Sequence, residues 1–267
     1  MLRQSNLLGI NIPGSANRLI ATLFADDTTM YLSEYDDFYT LEALLSKWCQ
    51  ASRARFNINK TEIIPIGTSE YRKQVLTTRT LHPASTPIPQ TIWILEDGQS
   101  VRILGTWVGN NASAVTPWLT ILEKISSRLA IWETRHSDLV TRKHLVNQFI
   151  RATTQYLTAA QGMPDEITTR LQKTIGDFIW ADHSSPLINR ATLEHPVEEG
   201  GLGLVNLWHR NKSIQAVKLK LHLNLDDPAP WSPFMNAVMG KYVTAKAGDI
   251  QSWAKINTFL QSWDVPV

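Results

Sequence analysis

The chain has a single cysteine, Cys49, in 267 residues. That excludes an internal disulfide and fits a reducing compartment. No run approaches the roughly 20 apolar residues that a helix needs to cross a bilayer. Met1-Leu2-Arg3-Gln4 lacks the apolar core of a secretory leader. The expectation is an intracellular, non-secreted protein of open location, with no membrane partner. The seven histidines show no H-x-x-x-H spacing and no Cys/His pairing, so no zinc site is expected. Net charge is only +2, which is no polyanion-binding signature by itself. Gly200-Gly201-Leu202-Gly203 is not followed by Gly-Lys-Ser/Thr, which excludes a phosphate loop. A turn needing positive φ is the expected role of those glycines.

What is present is an ordinary folded composition, 43% hydrophobic and 19% charged. Its most informative segment is Leu23-Phe24-Ala25-Asp26-Asp27-Thr28. Apolar runs at 19–24 and 30–32 flank it and read as strands. The expected structure is a β-hairpin with two aspartates at its tip. Asp-Asp at a turn is commonly just a solvated turn, because Asp bonds its own backbone there. The other use of a fixed double negative charge is to hold a divalent metal.

Phe-Ala-Asp-Asp-Thr within an apolar hairpin resembles the catalytic hairpin, motif C, of reverse transcriptases, in the form found in non-LTR retrotransposons. Gly9-Ile10-Asn11-Ile12-Pro13-Gly14 is similar to the approach to that hairpin. Asp36–Ser52 reads as an amphipathic helix, with Phe38, Leu41, Leu45 and Trp48 at helical spacing and Asp36 as N-cap. Then come Phe56-Asn57-Ile58-Asn59-Lys60-Thr61-Glu62 and a strand at Ile63-Ile64-Pro65-Ile66, an order that resembles motif D. Ile92–Leu95 and Val101–Leu104, separated by Asp97-Gly98, read as a second hairpin. Ile103-Leu104-Gly105 resembles the primer grip, motif E. Phe178-Ile179-Trp180, Pro186-Leu187-Ile188 and the glycine turn look like the region beyond the thumb. The resemblance covers about residues 5–225.

The resemblance implies a nucleotidyl transferase. Asp26 and Asp27 are the catalytic and metal-binding residues it points to, with Mg2+ as cofactor of the intact parent enzyme, weak or absent in this chain. Lys60 would lie near the phosphates of the incoming dNTP, and Leu104 and Gly105 near the primer end; alternatives are a solvated loop lysine and an ordinary surface hairpin. The implied partners are an RNA template and a DNA primer duplex. In that family a third aspartate comes from an earlier palm strand, and residues 1–18 contain no Asp or Glu. The expectation is therefore a C-terminal part of a reverse transcriptase, late palm plus thumb, inactive alone. The alternative is a non-catalytic nucleic-acid-binding remnant.

The fold class expected is α+β, a small antiparallel palm remnant followed by a mostly helical, thumb-like bundle. Trp118, Leu122, Ile125, Leu129 and Trp132 form one stripe, with Thr116 as N-cap and Pro117 in the first turn. Leu145, Phe149, Ala152 and Tyr156 form a second, ended near Gly162. Ile167, Leu171, Ile175 and Phe178 form a third behind Pro164, and Leu207, Ile214, Val217, Leu221 and Leu225 a fourth. Short helices are expected between Pro233 and Trp263. The domain reading is 1–110, 111–225 and 226–267, the last with no assigned role. Six basic residues between Arg53 and Arg79, and four between His209 and His222, offer either phosphate-contacting or merely solvated faces. Tryptophans on the stripes read as core, with base stacking as the alternative.

Overall fold

The computed structural model describes residues 2–12, 18–57, 60–135, 137–180, 186–224 and 226–239. Pro13, Gly14, Ile58, Asn59, Leu225 and the helices expected beyond 239 lie outside them. The fold is mixed α and β, in two compact units, 1–96 with 221–267 and 97–220. The hairpin carrying Leu104 and Gly105 thus belongs with the helices, not with residues 1–96.

In the first unit, β1 (Ile10–Asn11) pairs antiparallel with β2 (Arg18–Leu19). The chain continues through buried Ile20 into β3 (Ala21–Phe24), which pairs antiparallel with β4 (Asp27–Met30). Tyr31 N–H donates to the Ile20 carbonyl at 2.8 Å, extending the ladder. Leu7, Ile20 and Leu41 form a small core under this ribbon. Helix α1 (Phe38–Ser52) buries Phe38 and Leu41. Trp48 is instead 43% exposed and packs on Phe56. The N-cap of α1 is Asp37, which accepts the Thr40 N–H at 3.2 Å, and not Asp36. Asp36 is buried and serves a different purpose, taken up below.

Helix α2 (Ser69–Thr78) has no counterpart in the sequence reading. Thr68 caps it by accepting the Tyr71 N–H, and Val75 buries against Phe38, Ile88, Ile92 and Ile94. The proline-rich loop after it is anchored by Arg79, which donates to the Ile88, Pro89 and Ile92 carbonyls at 3.0, 2.7 and 2.6 Å. This loop delivers β6 (Trp93–Ile94) alongside β5 (Glu62–Ile63), and the pair is parallel.

That pairing overturns the expected hairpin between Ile92–Leu95 and Val101–Leu104. In the second unit, β7 (Val101–Ile103) pairs with β8 (Thr106–Val108), so Leu104 and Gly105 make the turn. Both have positive φ, 48° and 85°, the signature of a type I′ turn, whose twist matches that of the strands. Asp97 and Gly98 instead lie at the open end, where Gly98 N–H donates to the Asn110 carbonyl.

Helix α3 (Thr116–Glu133) buries Trp118, Leu122, Ile125 and Leu129 as the stripe predicts. Its first amides are received by Ser113 Oγ, at 3.2 Å from both Val115 N and Thr116 N; Thr116 is not the cap. Helix α4 (Leu139–Val146) runs through a π-helical segment, Asn147–Ala152, into α5 (Thr153–Gln161). Five-residue turns shift the inward face to Val146, Ile150, Thr154, Leu157 and Thr158, leaving Tyr156 exposed. Helix α6 (Asp165–Ile179) buries its whole predicted stripe. Helix α7 (Arg190–Glu194) follows, then α8 (Leu207–His222). Leu207 is fully buried, whereas Val217 and Leu221 of the expected stripe are 56% and 48% exposed. The second unit is thus a helical bundle around one core. In the first unit the chain then ends its described part with α9 (Ser232–Met239). Among the described residues no helix is long and apolar enough to cross a membrane.

Candidate metal and nucleic-acid site

The Asp-Asp hairpin forms as a two-residue connection, with Phe24 paired to Asp27 and Ala25-Asp26 at the turn. Ala25 has φ 53° and Asp26 does not share a positive φ. Glycine is the usual residue at such a φ, and a left-handed alanine costs about 1–2 kcal/mol. Asp26 is thus the last turn residue and Asp27 the first of β4, and both are exposed. Leu23 and Phe24 just before them are 69% and 66% exposed. Carboxylate oxygens are hard donors of the kind Mg2+ takes. Among the described residues, no group of three or more His, Cys, Asp or Glu side chains stands ready to hold a metal.

The base of this hairpin is held by Asp36. Its carboxylate accepts three backbone N–H groups, from Leu8 at 2.6 Å, Gly9 at 2.9 Å and Ser33 at 2.8 Å. It thereby ties the segment leading into β1 to the loop after the hairpin. Gly9 is required there, with φ +62° and a would-be Cβ only 2.5 Å from the Leu19 carbonyl oxygen.

Lys60 lies in a separate turn of the same unit, its N–H on the Asn57 carbonyl at 3.0 Å and its side chain exposed. Leu104 and Gly105 belong to the other unit. There the Leu104 carbonyl accepts the Tyr156 hydroxyl, and Gln161 Oε1 accepts the Trp107 N–H at 2.9 Å. Arg102 and Trp107 face each other across the ladder, both exposed.

On α8, His209, Lys212 and Lys220 are exposed. Arg210 turns inward, to Thr154 Oγ1 at 2.7 Å, Thr158 Oγ1 at 3.1 Å and Asn211 Oδ1 at 2.9 Å. Burial, with the charge of Arg151 beside it, pushes its guanidinium down to about 10. Of the basic residues on this helix, Arg210 is therefore spent on the bundle and not on a ligand. Arg142, likewise buried, donates to the Phe178 and Ile179 carbonyls at 3.2 Å each, closing the end of α6.

Sequence reasoning missed Gln161 and gave Tyr156, Asp36 and Arg210 other roles, as part of an apolar stripe, as an N-cap and as part of a basic face. A clue existed for Arg210 alone: Thr154 and Thr158 sit i, i+4 on a face that is otherwise apolar, and buried hydroxyls need a partner. No protein-family model matches the chain, and comparison with curated proteins also gives no match.

Proposed function

We propose that this chain carries the metal-binding hairpin and the primer-holding, helical part of an RNA-directed DNA polymerase of the non-LTR retrotransposon type. The observation that carries the reading is the tip at Ala25-Asp26-Asp27. Two exposed aspartates are adjacent in sequence there, Asp26 in a tight turn that retains a left-handed alanine and Asp27 opening β4. Backbone strain kept at such a point is the mark of a site whose geometry matters more than its stability.

In this reading Asp26 and Asp27 would hold Mg2+, which neutralises charge on the substrate's phosphate oxygens when bound. Lys60 would meet the nucleotide's phosphates. Leu104 and Gly105 would lie against the primer end, and the helical bundle would run along the RNA–DNA duplex as a thumb. Two adjacent carboxylates on one hairpin supply one side of a two-metal site. The chain alone is therefore expected to bind metal and primer–template without extending the primer.

The test pairs Mn2+ titration, followed by electron paramagnetic resonance, with primer–template binding and extension. Loss of Mn2+ binding in the Asp26→Asn, Asp27→Asn double variant supports the reading. Equal Mn2+ binding by that variant and the parent chain overturns it. Exposed His209, Lys212 and Lys220 favour a second reading, a non-catalytic nucleic-acid-binding protein. Steeply salt-dependent duplex affinity that the double variant retains in full, without Mn2+ binding by either protein, selects that one.

A further inference from the structure

A helical stripe through Leu145, Phe149 and Ala152 would bury Tyr156, yet Tyr156 is 57% exposed. The π-helical segment Asn147–Ala152 is the cause. It rotates α5 so that Thr154, Leu157 and Thr158 take the core. The face turned outward meets the β7–β8 hairpin. The Tyr156 hydroxyl donates to the Leu104 carbonyl. Its ring edge lies over Gly105, where a Cβ would stand 3.0 Å from Tyr156 Cε1. Further along α5, Gln161 Oε1 accepts the Trp107 N–H at 2.9 Å. One helix thus grips the hairpin at its tip and on its second strand.

Both contacts reach the hairpin's backbone, so they set its direction whatever side chains it carries. The Trp107 amide is the centre of the second contact, and Trp107 shares its face with Arg102. Holding that amide fixes where an exposed aromatic ring and a guanidinium point. Leu104, left-handed at φ 48°, is held in the turn from outside by the tyrosine hydroxyl.

We infer that Tyr156 and Gln161 are positioning residues, which fix the 101–108 hairpin on α5 so that Leu104 and Gly105 present one surface to a primer end. The inference rests on the function proposed above. The π-helical segment is the device that makes Tyr156 available for it.

The test uses Tyr156→Phe, Gln161→Ala and Gln161→Glu in the full chain. Tyr156→Phe keeps the ring and removes the hydroxyl; Gln161→Glu keeps an acceptor that Gln161→Ala removes. Hydrogen exchange of the Trp107 amide reports the grip, and fluorescence anisotropy with an RNA–DNA primer–template reports binding. Gln161→Ala should speed Trp107 exchange about five-fold, the worth of one ordinary hydrogen bond, and Gln161→Glu should restore it. Tyr156→Phe and Gln161→Ala should each weaken duplex binding by a similar factor, with Gln161→Glu close to the parent. Parent-like exchange or parent-like duplex affinity in both Tyr156→Phe and Gln161→Ala overturns the positioning role alone. Absence of duplex binding by the parent chain overturns the proposed function and this role with it.

Discussion

The buried carboxylate of Asp36 accepts the backbone N–H of Gly9 at 2.9 Å, across 27 residues of chain. Every residue of the Asp-Asp hairpin lies between these two. The bond therefore closes the loop on which the candidate metal site stands, and Leu8 and Ser33 donate to the same carboxylate.

Asp36→Ala should cost about 3 kcal/mol of stability, because it leaves buried amides without an acceptor. Gly9→Ala should cost a comparable amount, since position 9 combines positive φ with a Cβ placed against the Leu19 carbonyl oxygen. Urea unfolding measures both. A loss below about 0.5 kcal/mol for Asp36→Ala, the level of an ordinary surface substitution, would refute the stitching role.

Ala25→Gly should stabilise the hairpin by about 1 kcal/mol, because glycine adopts φ near +53° without the Cβ clash. Thermal unfolding gives the sign. Destabilisation would mean that Ala25 is not left-handed in solution.

Asp138 caps α4, and the Thr141 backbone N–H holds its carboxyl below the usual value of 3.8. The folded state therefore favours the charged form. This stabilisation is present above the ordinary value and is lost as pH falls through the lower, folded value. Asp138→Asn keeps a capping oxygen and removes the titration. The variant should show a shallower loss of stability below about pH 4 than the parent, as acid unfolding followed by circular dichroism would record. Identical acid limbs would exclude the contribution.

Arg142→Met should destabilise the helical unit by about 3 kcal/mol, because the carbonyls at the end of α6 lose a charged, buried donor. Arg142→Lys should recover little, since a compact ammonium cannot reproduce the fork that spans Ser137, Phe178 and Ile179. Chemical denaturation of the three proteins compares them, and a parent-like Lys variant would show that charge alone suffices.

The legible parts of the fold are those governed by local pattern. The Asp-Asp hairpin, α1, α3 and α6 follow from strand-type runs and 3.6-residue stripes over uninterrupted segments. Helix α2 escaped because only Val75 of it is fully buried, so its apolar pattern is thin; Thr68 ahead of Ser69-Glu70 was the available capping signal. The Asp97-Gly98 dipeptide misled because a good turn pair does not choose its strands. Ile94 finds Ile63 in a parallel pair, and the ladder closes instead over Leu104-Gly105. A π-helical turn leaves no mark in the spacing, so the second stripe ran through Phe149, Ala152 and Tyr156 instead of Ile150 and Thr154.

The sequence by itself determined that a hairpin carries Asp26 at its turn and that α3 and α6 bury their apolar stripes, since periodicity and turn chemistry act within a few residues; it placed Asp27 in the turn, whereas Asp27 opens β4. Only the tertiary structure decided that Asp36 spans to Gly9, that Arg79 and Arg142 collect carbonyls, and that Tyr156 reaches Leu104. Those bonds join groups from 9 to 52 residues apart. Their partners are mostly backbone amides and carbonyls, which every residue carries, so no residue type in the sequence marks them in advance.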